Sequence, residues 1–347
     1  MHAITITGYG NPADVLRAAD VPDPAVAPDE VLVRVEAASV NPADWHIIRG
    51  IPRIARLSVG LRRPDFQIPG SDFAGIVEAI GPDVTTVRAG DAIFGTTFMA
   101  GFGAFADKVA VPERLVAPRP ANVSAAEAAA VPLAASTALQ ALRDHGHVDV
   151  GARVLIIGAS GGVGAFAVQL AKHLGAEVTG VASTTNLDFV RSLGADHIID
   201  YTTNDITQHV ERFDLVVQLA GTHAASQLRR LLTPEGMLLQ LSADSTNQWL
   251  GPLGRVVRGR LGTIRGDQTV TTFTVRPNRD DLVLLADLLE ARVLRPHLDQ
   301  AVGIDDIVGA IERVESGHAR GTVVLAVGPP QTDRRSSFAK PALVARP

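Results

Sequence analysis

Residues 154–175 carry the most regular pattern in the chain, and its period changes halfway along. Val154, Leu155, Ile156 and Ile157 form an unbroken apolar run, the pattern of a strand buried on both faces. A glycine-rich turn, G-A-S-G-G-V-G, follows at 158–164. Beyond it Phe166, Val168, Leu170, Ala171 and Leu174 recur at helical spacing, and Gly175 stands where a helix C-cap belongs. Strand-like runs continue near 177–182, 197–200, 214–219, 236–242 and 271–275, with helical patterns in most of the gaps. That alternation predicts a doubly wound parallel sheet of the α/β class.

The first 127 residues have a different texture. Short β-like runs at 3–7, 31–38, 75–80, 91–94 and 106–111 are punctuated by Pro28-Asp29, Gly81-Pro82 and Ala89-Gly90-Asp91. This predicts a compact, mostly antiparallel, barrel-like domain. Residues 50–64, with Arg53, Arg56, Arg62 and Arg63, show no period and read as a solvated loop over the domain edge. Ser124 and Glu127 have capping-box spacing ahead of an alanine-rich helix. Amphipathic helices are expected at 281–291 and 304–316, and a last strand at 322–327 returns to the first domain. The tail from 329 to 347 reads as disordered.

Composition narrows the function classes. A chain of 347 residues has room for two domains, and 46% hydrophobic residues with 32 glycines suit an α/β globule. A net charge of −5 makes no case for nucleic acid or stable membrane binding. The chain has no cysteine, which excludes disulfides, thiolate metal sites and cysteine nucleophiles. The N-terminus has no basic segment followed by an apolar one, and no apolar run is long enough to span a bilayer, so a cytoplasmic protein is expected.

The glycine turn is where chemistry enters. Glycines let backbone approach a pyrophosphate, and the free N–H groups of the helix N-terminus meet its charge. The fingerprint here is Ala159-x-Gly161-x-x-Gly164, with Ser160, Gly162 and Val163 completing the loop and alanine replacing the first glycine. A glycine turn without ligand is the plainer alternative. NAD-binding units carry an acid about 20 positions past the fingerprint for the ribose hydroxyl. The next strand here ends in Ser183-Thr184-Thr185-Asn186, without an acid, which favours a 2′-phosphate and therefore NADPH. Arg191 and Tyr201 are within reach in sequence, although Tyr201 equally suits a half-buried cap on its strand. Leu219, Ala220 and Gly221, and Ser242 beyond a later strand, end at the crevice where a dinucleotide lies.

S-V-N-P-A-D-W (39–45), P-G-S-D-F-A-G-I-V (69–77), G-A-F-A-D-K-V-A-V (103–111), P-L-A-A-S-T-A-L-Q-A-L (132–142), G-A-S-G-G-V-G (158–164), L-G-A-D-H-I-I-D-Y (193–201) and G-H-A-R-G-T-V-V-L (317–325) resemble the medium-chain dehydrogenases/reductases. Within that family they are similar to the zinc-independent quinone oxidoreductase branch. The resemblance implies a GroES-like β-rich catalytic domain, 1–127 with 279–328, split around a Rossmann domain, 128–278, and a homodimer. Zinc-dependent relatives hold their metal with a cysteine, a His-Glu pair and a second cysteine. The matching places here are Asn41, Ser71-Asp72 and Leu133, which cannot close such a site, so no metal is expected. His145 and His147 lie together in an expected surface loop.

Without a Lewis acid, the resemblance implies NADPH-dependent hydride transfer to a quinone or an α,β-unsaturated carbonyl, with the cofactor carrying the reaction. Asn41 and Thr137 would line the nicotinamide pocket, and Phe273 and Val275 would present backbone to the carboxamide. Asn41-Pro42 also makes a turn by itself. Trp45 and His46 would flank the acceptor, with a core tryptophan as the alternative for Trp45. Many relatives have lysine where this chain has Thr322. The basic stretch 249–265 fits a flap or subunit contact better than a membrane helix, given its glycines and proline. An enoyl-thioester reductase of lipid or polyketide metabolism, and a cofactor-binding protein with little turnover, are the competing functions.

Overall fold

The computed structural model describes residues 1–242 and 267–328, so the expectations for 249–265 and for the tail lie outside the described residues. Strands β1 (His2–Ile6) and β2 (Leu16–Asp20) form an antiparallel hairpin. Then come β3 (Glu30–Val40), helix α1 (Pro42–Arg49), β4 (Asp72–Ile80), β5 (Ala92–Thr96), β6 (Lys108–Pro112) and β7 (Val116–Pro118). β3 pairs antiparallel with both β4 and β6, and the ladder continues through β5 to β7. The segment read as an aperiodic loop contains two short helical turns, Arg53–Ala55 and Arg56–Val59. Tyr9 explains them: its hydroxyl donates to the Val59 carbonyl at 3.2 Å, and the Arg56 guanidinium lies 4.4 Å from its ring centroid.

The chain crosses to the second sheet through α2 (Pro132–Gln140), which follows the expected capping box, Ser124 N–H to Glu127 Oε2 and Glu127 N–H to Ser124 Oγ. β8 (Arg153–Ile157), α3 (Gly162–His173), β9 (Glu177–Ala182), α4 (Leu187–Ser192), β10 (His197–Asp200), β11 (Phe213–Gln218), β12 (Leu232–Gln240) and β13 (Thr269–Thr271) follow. They build a parallel sheet in the order β10-β9-β8-β11-β12-β13. Strand order reverses between β8 and β11, and such a switch point opens a crevice at the carboxyl ends of the strands. β13 ends two residues before Phe273, so the segment expected as a strand at 271–275 leaves the ladder early.

After α5 (Arg279–Glu290), β14 (Leu298–Gly303), α6 (Ile307–Glu315) and β15 (Thr322–Ala326) bring the chain back. β15 pairs antiparallel with β3, with Val324 opposite Ser39, as the return of the last strand required. The two sheets share one core: Ala37, Ala74 and Phe94 of the first sheet with Ala134, Ala135 and Ala138 of α2, Ile156 of the second sheet and Phe166 of α3. Small side chains on α2 let both layers approach it closely, which is the physical use of its alanine-rich sequence. Among the described residues, no helix is long and apolar enough to cross a membrane.

Candidate active site

The glycine turn lies at the switch point, between β8 and α3. Gly158 adopts φ +92°, the left-handed conformation that a tight turn off the strand needs, so alanine at 159 costs the turn nothing. A Cβ on Gly164 would stand 2.1 Å from the Gly158 carbonyl oxygen, so only glycine lets α3 pack this closely on the strand end. Around Gly161, by contrast, a Cβ would meet nothing nearer than 3.6 Å. The turn is fastened from the other sheet: Gly321 N–H donates to the Ser160 carbonyl at 2.9 Å, and Gly161 and Gly321 form a parallel bridge. Gly162 and Val163 open α3, and Ala159 is fully buried.

The loop past β9 is the second wall. Ser183 follows the strand and caps a single 3-10 turn, Thr184–Asn186, with no acid on it. Asn186 Nδ2 donates to Ser160 Oγ at 3.3 Å, joining this loop to the glycine turn. A carboxylate nevertheless arrives from the neighbouring strand. Asp200, the last residue of β10, accepts from Thr184 Oγ1 at 2.6 Å and from the Thr202 N–H at 2.9 Å. The Thr184 and Thr202 hydroxyls hold its pKa below the usual carboxylate value. The residues at the tip of β9 give no sign of Asp200; the parallel pairing of Asp200 with Ala182 puts the acid there. Tyr201 is 55% exposed, and Arg191 is spent on Asp188 at 2.6 Å.

Beneath the crevice is a buried polar network at the places that the resemblance matched to zinc ligands. Asn41 Nδ2 donates to Asp72 Oδ2 at 3.0 Å, and the Leu133 N–H donates to the same oxygen at 2.9 Å. Asp44, at the third position of α1, reaches back to the Asn41 N–H at 2.7 Å and accepts from Ser71 Oγ at 2.6 Å. Asn41, Asp44, Ser71 and Asp72 are all buried. Burial pushes Asp44 up to about 7, opposed by its bond from Ser71. Burial pushes Asp72 up to about 7 as well, opposed by Thr96, Leu133, Asn41 and Ser39. Asp72 Oδ1 has no hydrogen bond of good geometry. Among the described residues, no group of three or more His, Asp or Glu is placed to hold a metal.

Thr137 is four residues along α2 from Leu133, and its hydroxyl donates to the Leu133 carbonyl at 2.7 Å. Every other residue of α2 is buried, so Thr137 is the opening in that helix. Its donor is committed, which leaves the oxygen as an acceptor suited to an N–H. Asn41 is only 4% exposed, with its amide turned to Asp72, so the structure joins it to Thr137 through Asp72 and Leu133. The Trp45 and His46 rings stack at 3.6 Å; Trp45 packs on the first sheet's core, and His46 Nδ1 bonds the Ile51 carbonyl.

At the ends of β11 and β12, Gln240 Nε2 donates to Gln218 Oε1 at 2.9 Å, and Ser242 Oγ donates to the Gly221 carbonyl at 3.1 Å. Leu219 follows Gln218, and the Ala220 methyl packs where a Cβ on Gly158 would stand, 2.9 Å away. Gln140 holds the segment after β13: its Nε2 donates to the Arg276 carbonyl at 2.9 Å and its Oε1 accepts the Arg276 N–H at 3.0 Å. His145, expected in a loop, closes the last turn after α2 and stacks on Phe273 at 4.1 Å; Val275 is buried. Nothing in the local pattern singles out Gln140, its one signal being a lone amide at the end of a largely apolar helix.

Known proteins share this plan. Residues 27–121 match the alcohol dehydrogenase GroES-like domain, 193–325 the zinc-binding dehydrogenase domain, and 128–245 the C-terminal domain of alanine dehydrogenase/PNT. A quinone-oxidoreductase homolog of Spinacia oleracea, described as chloroplastic, is 33% identical over 334 residues, covering 94% of this chain and 98% of its own. An NADPH-dependent alkenal/one oxidoreductase of Arabidopsis thaliana, also chloroplastic, is 30% identical over 94% of this chain and 79% of its own. The structure of the quinone oxidoreductase from Coxiella burnetii superposes with a TM-score of 0.83 at 29% identity, covering 94% of this chain and 99% of that one. On its two matching sheets, its glycine turn and these relatives, the chain is an oxidoreductase and belongs to the medium-chain dehydrogenase/reductase family.

Proposed function

We propose that this protein is an NADPH-dependent reductase of quinones and α,β-unsaturated carbonyls that works without zinc. The observation that carries the reading is the glycine turn at the β8–β11 switch point, with Gly164 too close to Gly158 for any side chain; Thr137, the one residue of α2 that is not buried, is the polar group that helix offers. The turn and the N-terminus of α3 fit a pyrophosphate, and the hydroxyl-rich loop 183–186 fits the adenosine ribose. Bound NADPH supplies the hydride; the protein supplies position and dryness. Thr137 offers an acceptor oxygen to the nicotinamide carboxamide, and the segment held by Gln140 offers backbone groups on its other side. Asp72 keeps Asn41 and the start of α2 in register, doing with one carboxylate oxygen what a metal does by ligation.

The relatives named as quinone and alkenal/one oxidoreductases support electron-poor acceptors. NADPH oxidation against quinones, enones and enoyl thioesters, with NADH in parallel, tests the reading. Turnover with quinones or enones and preference for NADPH support it; turnover confined to enoyl thioesters, or none at all, overturns it. A cytoplasmic homodimer completes the proposal, to be checked by cell fractionation and sedimentation.

A further inference from the structure

Arg320 precedes the glycine that fastens the phosphate turn. Because Gly321 donates to the Ser160 carbonyl and bridges Gly161, the backbone of residue 320 is fixed beside that turn. Its guanidinium lies 4.9 Å from the ring centroid of Phe189, in the first turn of α4, directly after the loop 183–186. Its Nε donates to His297 Nε2 at 3.3 Å, and the His297 ring also packs on Phe189 at 4.4 Å. Burial and the Arg320 charge hold His297 below its usual pKa, so it serves as a neutral acceptor. A fixed backbone and two contacts on one long side chain remove much of the rotamer entropy that a ligand would otherwise have to overcome.

Among the described residues, no carboxylate forms an ion pair with this guanidinium. Asp299 takes the Arg320 backbone N–H at 3.0 Å, but its carboxylate pairs with Arg313 through bonds of 2.7 and 3.0 Å. Asp188 is paired with Arg191. Arg320 faces an open cleft of about 890 Å³ between α3, α4 and residues 292–297, where Arg295 and Lys172 are further cations. Lys172 is committed to Asp196 at 2.7 Å. The loop Ser183, Thr184 and Asn186 runs into α4 just ahead of Phe189 and is tied through Asn186 to Ser160, the residue whose carbonyl Gly321 holds; it is rich in neutral donors and also carries the field of Asp200. A dianionic phosphate placed there next to Asp200 requires a fixed cation to offset the repulsion.

We infer that Arg320, contributed from outside the parallel sheet, binds the 2′-phosphate of the adenosine ribose and sets the preference for NADPH over NADH. The inference rests on the dinucleotide reading above. A bidentate guanidinium suits a phosphate better than a lysine ammonium, which makes Arg320→Lys a partial replacement only.

The test measures binding of 2′,5′-ADP and 5′-AMP to the full-length protein by calorimetry, for wild type, Arg320→Leu, Arg320→Lys and Arg191→Leu. The wild type is expected to favour 2′,5′-ADP by roughly 10- to 100-fold, the range of one charge-assisted contact. Arg320→Leu brings that ratio close to one while 5′-AMP binding, which reports the fold, stays constant. Arg320→Lys falls between, and Arg191→Leu behaves as wild type. A wild type without preference for 2′,5′-ADP overturns the NADPH reading and the inference with it. A wild-type preference that survives in Arg320→Leu, or moves to Arg191→Leu, overturns the inference alone, as does equal loss of both ligands in Arg320→Leu.

Discussion

The side-chain amide of Asn41 donates to the carboxylate of Asp72 across 3.0 Å, in a position where neither group meets solvent. The same oxygen, Oδ2, receives the Leu133 N–H from the first turn of α2, 61 residues away in the chain. One atom therefore joins the antiparallel sheet to the helix that presents Thr137. A structural metal would impose similar order by ligation; here directional hydrogen bonds in a dry site do so.

Replacing Asp72 with leucine removes that acceptor from two buried donors, each of which costs about 1–3 kcal/mol when left unsatisfied. Asp72→Asn retains one acceptor oxygen of the same shape and should cost less than Asp72→Leu. Urea unfolding of the two variants checks the order. Coupling is the sharper readout: because Asn41 and Asp72 share one bond, Asn41→Ala and Asp72→Asn should be non-additive by about 0.5–3 kcal/mol. Additive losses would show that the bond contributes little to either residue's role.

Asp44 and Asp72 also give stability a pH dependence of unusual sign. Both carboxyls are pushed up to about 7 by burial, from the ordinary carboxyl value of 3.8. Between those values the folded protein holds protons that the unfolded chain has released. The unfolding free energy therefore falls as pH rises from about 4 through about 7. Most proteins with salt-bridged carboxylates gain stability over the same interval. Denaturant midpoints at pH 5.5 and pH 8 measure the slope, after which Asp44→Asn should flatten it. A slope rising with pH in wild type, or one indifferent to the substitution, would refute this assignment.

The run from Val154 to Gly175 was legible because strand, turn and helix are all encoded within one stretch by local periodicity. β2 and β14 were not, since their exposure patterns lack alternation and they lie at sheet edges, where one face imposes little. β12 begins earlier than its apolar run because Pro234, Glu235 and Gly236 extend it with exposed or backbone-only positions. Glycine at 164 could be read from the motif, and the 2.1 Å approach that demands it follows the same local geometry. Asp200 beside Thr184, Leu133 against Asp72 and Gln140 around Arg276 were beyond reach, because each pairing is fixed by tertiary packing rather than by spacing.

Gln140 gives the last prediction. Its amide makes a two-way bond with the backbone of Arg276 and a further bond to Asp281 Oδ2 at 2.8 Å, and it is 5% exposed. The segment it holds begins at Phe273, which His145 backs by stacking, so the backbone between them has little freedom to shift. Gln140→Leu keeps the volume but loses both directions of the bond, and leaves the Arg276 N–H and carbonyl without their partners. Gln140→Glu keeps the acceptor for the N–H, loses the donor and sets a carboxylate against Asp281. If this segment positions the nicotinamide, each variant raises the KM for NADPH by roughly tenfold, one lost contact's worth. If the segment contacts the cofactor alone, the KM for the quinone stays nearly constant. Thermal unfolding in parallel separates the positioning effect from general weakening: the leucine variant is expected to lose roughly 1–3 kcal/mol from the orphaned backbone groups. A KM for NADPH unchanged in both variants would leave Gln140 as a packing residue and remove the 273–276 segment from the cofactor site.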